Sequence, residues 1–224
     1  MKKIALVVFC LCLLQCKKAE KESVVDYKDV FSECLESEDV ALIENGMSTF
    51  FEVFADVYNN DGKPVNKKYD QFFEEVKELT LSSKFLRDQR GVNFLKELKQ
   101  SSTFKKIYIH SKEHEEDFSA EEEEIPITPR IDGKGNNDDN IPDFYTLNVK
   151  GEFMNCLIQK SSNQELNKYF ETCKIAPDLS PNLKSSVLSE VINNEFSISD
   201  SKLIEASIAF DLYFGLVLMF NEFE

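Results

Sequence analysis

Residues 26–58 read DYKDVFSECLESEDVALIENGMSTFFEVFADVY, and their apolar side chains step by three and four. Val30, Phe31, Cys34 and Leu35 come first, then Val40, Leu42, Ile43, Met47, Phe50, Phe51, Phe54, Val57 and Tyr58. That spacing lays one stripe along a helix, and it predicts two successive helices with Ser37 or Asp39 capping the second. The turn cluster Asn59-Asn60-Asp61-Gly62-Lys63-Pro64 ends the run. Working outward, the same spacing predicts a helix over 68–79 with Phe72, Phe73, Val76 and Leu79 inward. Another over 92–99 buries Phe94, Leu95 and Leu98.

At Thr103 the pattern changes. Residues 104–109 (FKKIYI) and 144–149 (FYTLNV) are rich in β-branched and aromatic side chains and are expected to pair as two short strands. Between them, 111–143 has almost no apolar periodicity and contains Glu121-Glu122-Glu123-Glu124, so it reads as an acidic, exposed linker or insertion. Helix returns after Gly151 with Phe153, Cys156, Leu157 and Ile158. Ser162-Asn163-Gln164-Glu165 has the pattern of a capping box opening a helix through Cys173. Pro177 and Pro181 bracket a turn, and 183–192 is again helical. Asp200 is expected to cap a last helix over 202–223, whose residues 203–220 are apolar apart from Glu205, Ser207, Asp211 and Gly215. Two carboxylates make a membrane span costly, so a core helix surrounded by neighbours is the better account. The expected fold is therefore mainly α: a helical bundle drawn as two lobes, 25–110 and 144–224, with a minor two-stranded β-ribbon.

The chain is 224 residues long, 42% hydrophobic and 30% charged, with 7 Gly and 6 Pro, which excludes collagen-like, low-complexity and wholly disordered proteins. Its formal charge of −15 repels phosphate backbones, so no nucleic-acid partner is expected; a basic protein is the favoured kind of partner.

At the N-terminus, Lys2 and Lys3 precede eleven apolar residues, 4–14, too few to span a bilayer. Leu13-Leu14-Gln15-Cys16-Lys17-Lys18 follows, and residues 1–18 resemble the signal peptide of bacterial lipoproteins, with Gln15 standing where that family prefers Gly, Ala or Ser. Cys10 and Cys12 lie inside the apolar run and would leave it too short. The resemblance implies removal of 1–15, lipidation of Cys16, a flexible tether over 16–24 and an anchored, water-soluble body in the cell envelope. With Lys17 and no Asp after Cys16, it implies the outer membrane. Two acyl chains hold a protein stably where one does not.

Six cysteines leave Cys34, Cys156 and Cys173 once Cys10 and Cys12 depart with the leader and Cys16 is lipidated. Outside the cytoplasm a disulfide is permitted. The pair Cys156–Cys173 is the favoured one, on adjacent helices joined by a short turn; three buried free thiols are the equal alternative. The only histidines stand in His110-Ser111-Lys112-Glu113-His114, which matches the inverted zinc-protease pattern His-x-x-Glu-His. The strand predicted before it and Glu115-Glu116-Asp117 after it favour an exposed polar segment instead. In 132–143, Asp132, Asn136, Asp138, Asp139 and Asp143 are candidate Ca²⁺ ligands, and Asp139-Asn140-Ile141-Pro142-Asp143 resembles the end of thrombospondin type 3-like calcium repeats. A solvated loop is the plainer account, and no other cofactor is expected. The sequence reads best as a non-enzymatic binding protein of the cell envelope. The alternatives are a metal-dependent hydrolase using His110, Glu113 and His114, or a calcium-binding envelope protein.

Overall fold

The computed structural model describes residues 26–58, 65–111, 113, 144–177, 179–193 and 197–221. The leader, Cys16 with its tether, the turn at 59–64, His114 and the Ca²⁺ candidates at 132–143 lie outside the described residues. The chain is a mainly α-helical bundle with a small two-stranded antiparallel sheet.

Helix α1 (Tyr27–Phe31) is opened by a capping box at Asp26 and Asp29. Helix α2 (Ser37–Tyr58) turns Val40, Ile43, Met47, Phe50, Phe54 and Tyr58 into the core, as their spacing requires. Then come α3 (Val65–Lys77), the short α4 (Ser83–Leu86), α5 (Gln89–Lys99) and α6 (Thr103–Ile107). Strands β1 (Tyr108–His110) and β2 (Tyr145–Leu147) pair with Tyr108 opposite Leu147 and His110 opposite Tyr145. Helices α7 (Glu152–Lys160), α8 (Gln164–Ile175) and α9 (Pro181–Ile192) lead into α10 (Ile198–Phe220).

Residues 104–107, expected as strand, are helical, and the strand starts at Tyr108. A buried carboxylate selects the helix. Asp39 accepts hydrogen bonds from the Thr103 hydroxyl at 2.7 Å and the Lys106 ammonium at 2.8 Å, two groups one helical turn apart. The start of α10 also differs from expectation. Ser197 is its N-cap, while Asp200 accepts from the Ser162 amide (2.9 Å), the Ser162 hydroxyl (2.6 Å) and the Ser197 hydroxyl (2.7 Å). One carboxylate thereby ties the N-terminus of α8 to that of α10.

Helix α10 occupies the centre. Leu203, Ile204, Ala206, Ile208, Phe210, Leu212, Tyr213, Phe214 and Val217 are all buried. It is long and apolar enough to cross a membrane by length and composition, yet 78% of its most apolar window is buried inside the protein. Rings from several elements close on it: Phe50 and Phe85 against Tyr213 at 5.5 and 4.8 Å, Phe94 against Phe214 at 4.7 Å, Phe153 against Phe210 at 5.2 Å. Helix α9 packs on α3, and the Ser185 hydroxyl donates to the Phe73 carbonyl at 2.9 Å. Helices from before and after 111–143 thus share one core, and that segment does not divide two cores.

The disulfide joins Cys34 to Cys156, Cα atoms 5.7 Å apart, and Cys173 is a buried free thiol. The expected Cys156–Cys173 pair is corrected by helical phase: Cys156 on α7 faces α1, where Phe31 stacks on Phe153 at 5.8 Å, whereas Cys173 on α8 faces α10. A short connection brings two helices together without fixing which faces meet.

Closing a loop with sequence separation 122 contributes about 5 kcal/mol in the chain-entropy model, so reduction or Cys34→Ser should lower the unfolding midpoint steeply. Cys173→Ser should leave the cross-linked Cys34–Cys156 peptide intact by mass spectrometry. Burial pushes the Asp39 and Asp200 carboxyls up, but the hydrogen bonds they accept outweigh it and hold both below the ordinary 3.8. Their stabilisation is complete above that value and lost as pH falls through the lowered folded values. The thermal unfolding temperature should therefore fall in that acidic range, and Asp200→Asn should flatten the dependence.

Candidate functional site

The middle of α10, Ile208–Phe214, is a π-helical segment. A π turn adds a residue to the helical circuit and is frequent at functional sites. Here it carries Asp211, a carboxylate in an otherwise apolar stretch, inward between α8 and α9. The Lys184 ammonium on α9 donates to Asp211 Oδ1 at 2.5 Å. From α8, the Tyr169 hydroxyl donates to Asp211 Oδ2, and the Cys173 Sγ lies 3.9 Å from the same oxygen. One residue earlier, the Phe210 carbonyl accepts from the Tyr108 hydroxyl at 2.7 Å, which holds β1 against the same segment.

The Lys184 and Asp211 side chains are only 8% and 2% exposed, so the pair is largely removed from water. Burial pushes the Cys173 thiol up to about 12, with the Asp211 carboxylate adding to it, so the sulfur stays protonated at neutral pH. Burial first, then the same carboxylate, pushes the Tyr169 and Tyr108 hydroxyls well above their ordinary range. Cys173, Tyr169 and Tyr108 thus stay protonated around Asp211 at neutral pH.

Above the pair lies a cavity of about 210 Å³. Tyr145 and Leu147 of β2, Leu179 and Pro181 at the start of α9, and Leu216 and Met219 of α10 form its mainly apolar wall. Pro181 sits at the first position of α9, where its missing N–H costs nothing and its fixed φ starts the helix. Gly215 completes the wall: a Cβ there would meet only the Phe210 carbonyl oxygen, at 3.8 Å.

The residues singled out by motif are elsewhere. His110 stands on β1 with its ring 5.4 Å from that of Tyr145, and Glu113 is exposed; both line a second concavity of about 410 Å³ with Lys99 and Lys105. A strand position for His110 removes the one-turn helical spacing on which the zinc pattern depends. Among the described residues no group of three His, Cys, Asp or Glu side chains is placed to hold a metal ion. Lys184 and Tyr169 were not singled out by the sequence reading, and Asp211 figured there only as a polar exception. The usable signal was Asp211 itself, since a charge in a helix that is apolar all round must find its partner inside the protein.

Comparison with known proteins gives no match to a family model, a curated protein or a solved structure.

Removing one partner of a buried ion pair strands the other charge, at a cost of about 3–5 kcal/mol. Lys184→Ala should lose about that much in urea unfolding, whereas the double variant Lys184→Met/Asp211→Leu should recover most of it. Equal losses in both would show that packing and not charge pairing holds the site.

Proposed function

We propose that this chain is a cell-envelope lipoprotein, held to the membrane through Cys16, whose helical body binds a small, neutral, amphipathic ligand without transforming it. The observation that carries the binding reading is the buried Lys184–Asp211 pair opening into an apolar cavity. Mutually neutralised, the pair offers polar atoms with no net charge, and a charged head group would have to break it. An apolar body on the ligand matches the walls. About 210 Å³ is below the roughly 300–1,000 Å³ of pockets for drug-sized molecules, so the ligand is smaller than those. The protonated Cys173 thiol is a poor nucleophile, which favours binding over covalent chemistry. The anchor rests on Leu13-Leu14-Gln15-Cys16-Lys17-Lys18.

A thermal-shift screen of small neutral amphipaths should find compounds that stabilise the protein, by about 2.7 kcal/mol at a hundredfold excess over Kd. Gly215→Leu, which fills the cavity from its wall, should abolish those shifts while the protein stays folded. Compounds that stabilise both forms equally would place binding elsewhere. For the anchor, Cys16→Ser should release the chain from the membrane fraction, and continued sedimentation with membranes would contradict lipidation.

A further inference from the structure

Among the described residues three side-chain donors reach the Asp211 carboxylate: the Lys184 ammonium at Oδ1, and the Tyr169 hydroxyl and Cys173 thiol at Oδ2. An ionised carboxylate has about four lone-pair sites. Oδ2 spends both of its own, whereas Oδ1 spends one on Lys184 and keeps the other. The unspent site belongs to the cavity side of the group. Lys184 and Asp211 line the cavity, while Tyr169 and Cys173 come from α8 and meet the oxygen turned away from it. The Asp211 side chain is only 2% exposed, so bulk water does little to satisfy it. A buried acceptor short of a donor carries a desolvation cost that a bound donor recovers.

We infer that Asp211 Oδ1 selects a neutral hydroxyl compound about the size of one substituted ring, and that the cavity rejects molecules of like shape that can only accept hydrogen bonds. The inference rests on the ligand-binding reading above and deepens it by naming the chemistry of the ligand. An ether of the same outline brings acceptor lone pairs to face those of Oδ1, whereas a hydroxyl turns its proton toward them. A cationic donor would be brought against Lys184 and an anion against Asp211, and like charges so placed oppose binding. An amide has N–H donors but also a carbonyl that must leave water, a cost that a single hydroxyl largely avoids. A water molecule can meet the same lone pair, yet it leaves the walls of Leu147, Leu179, Leu216 and Met219 uncovered. Size follows from the cavity. An apolar protein cavity of about 150 Å³ admits benzene, and one of about 210 Å³ has room for a ring with a short substituent.

Benzyl alcohol and anisole are isomers, and only the first can donate a hydrogen bond. Calorimetric titration of the full chain should show benzyl alcohol binding about tenfold or more tightly than anisole, the ratio expected for a hydrogen bond to a charged group. In Lys184→Met/Asp211→Leu that preference should vanish while anisole still binds. In Gly215→Leu both isomers should lose their binding. Equal affinities in the wild-type chain, or a preference for anisole, overturn the donor rule and leave the cavity as a binding site. A preference that survives in the double variant or in Gly215→Leu also overturns it, because the hydroxyl is then held elsewhere. If neither isomer binds the wild-type chain, the ligand-binding reading falls and this inference falls with it. Should the double variant fail to fold, the wild-type comparison and Gly215→Leu decide the matter between them.

Discussion

Helix α10 has no polar face to offer water, and the bundle exists to cover it. Aromatic rings from α2, α4, α5 and α7 reach its central segment, and α9 with the β-ribbon closes the remaining side. Burying aromatic side chains of this size is the largest favourable term open to a chain without Trp. Because the coverage comes from both halves of the chain, neither half holds a complete core without the other. The Cys34–Cys156 disulfide and the Asp200 cluster reinforce this by linking segments far apart in sequence at the ends of the bundle.

A segment so enclosed makes the carboxylate at its middle expensive. Asp211 is tolerated because Lys184, Tyr169 and Cys173 converge on it from two other helices, and because the π segment turns it toward them. A hydrophobic replacement of the pair would serve stability about as well. The position of the pair at the floor of a cavity, and not deep in the aromatic core, is what gives the binding reading its weight.

Much of the bundle was legible because helical periodicity is local. The stripe from Val40 to Tyr58 and the enclosed nature of α10 follow from side chains within a few turns of one another, and the start of α8 was read one residue early, from Ser162 and Glu165, where Asn163 is the cap. The ribbon was legible in its pairing but not in its length: Phe104 to Ile107 carry β-forming side chains, and a contact with Asp39, more than sixty positions earlier, makes them helical. Leu79 obeys the core spacing and still points outward, because α3 stops two residues before it. In the cavity, Lys184 and Tyr169 had no signal of their own, since single polar residues on amphipathic helices are ordinarily solvated.

By itself the sequence determined that the chain is mainly helical and that its last long helix is better enclosed than exposed. These are properties of neighbouring residues and of apolar content summed over many turns, which a distant contact such as that of Asp39 resets only over a short stretch. Tertiary structure alone decided which cysteines meet, where Asp211 finds its countercharge and which apolar side chains stay outside. Each of those depends on the rotational phase of one helix against another, a quantity set by the packing of the whole core and written in no single segment.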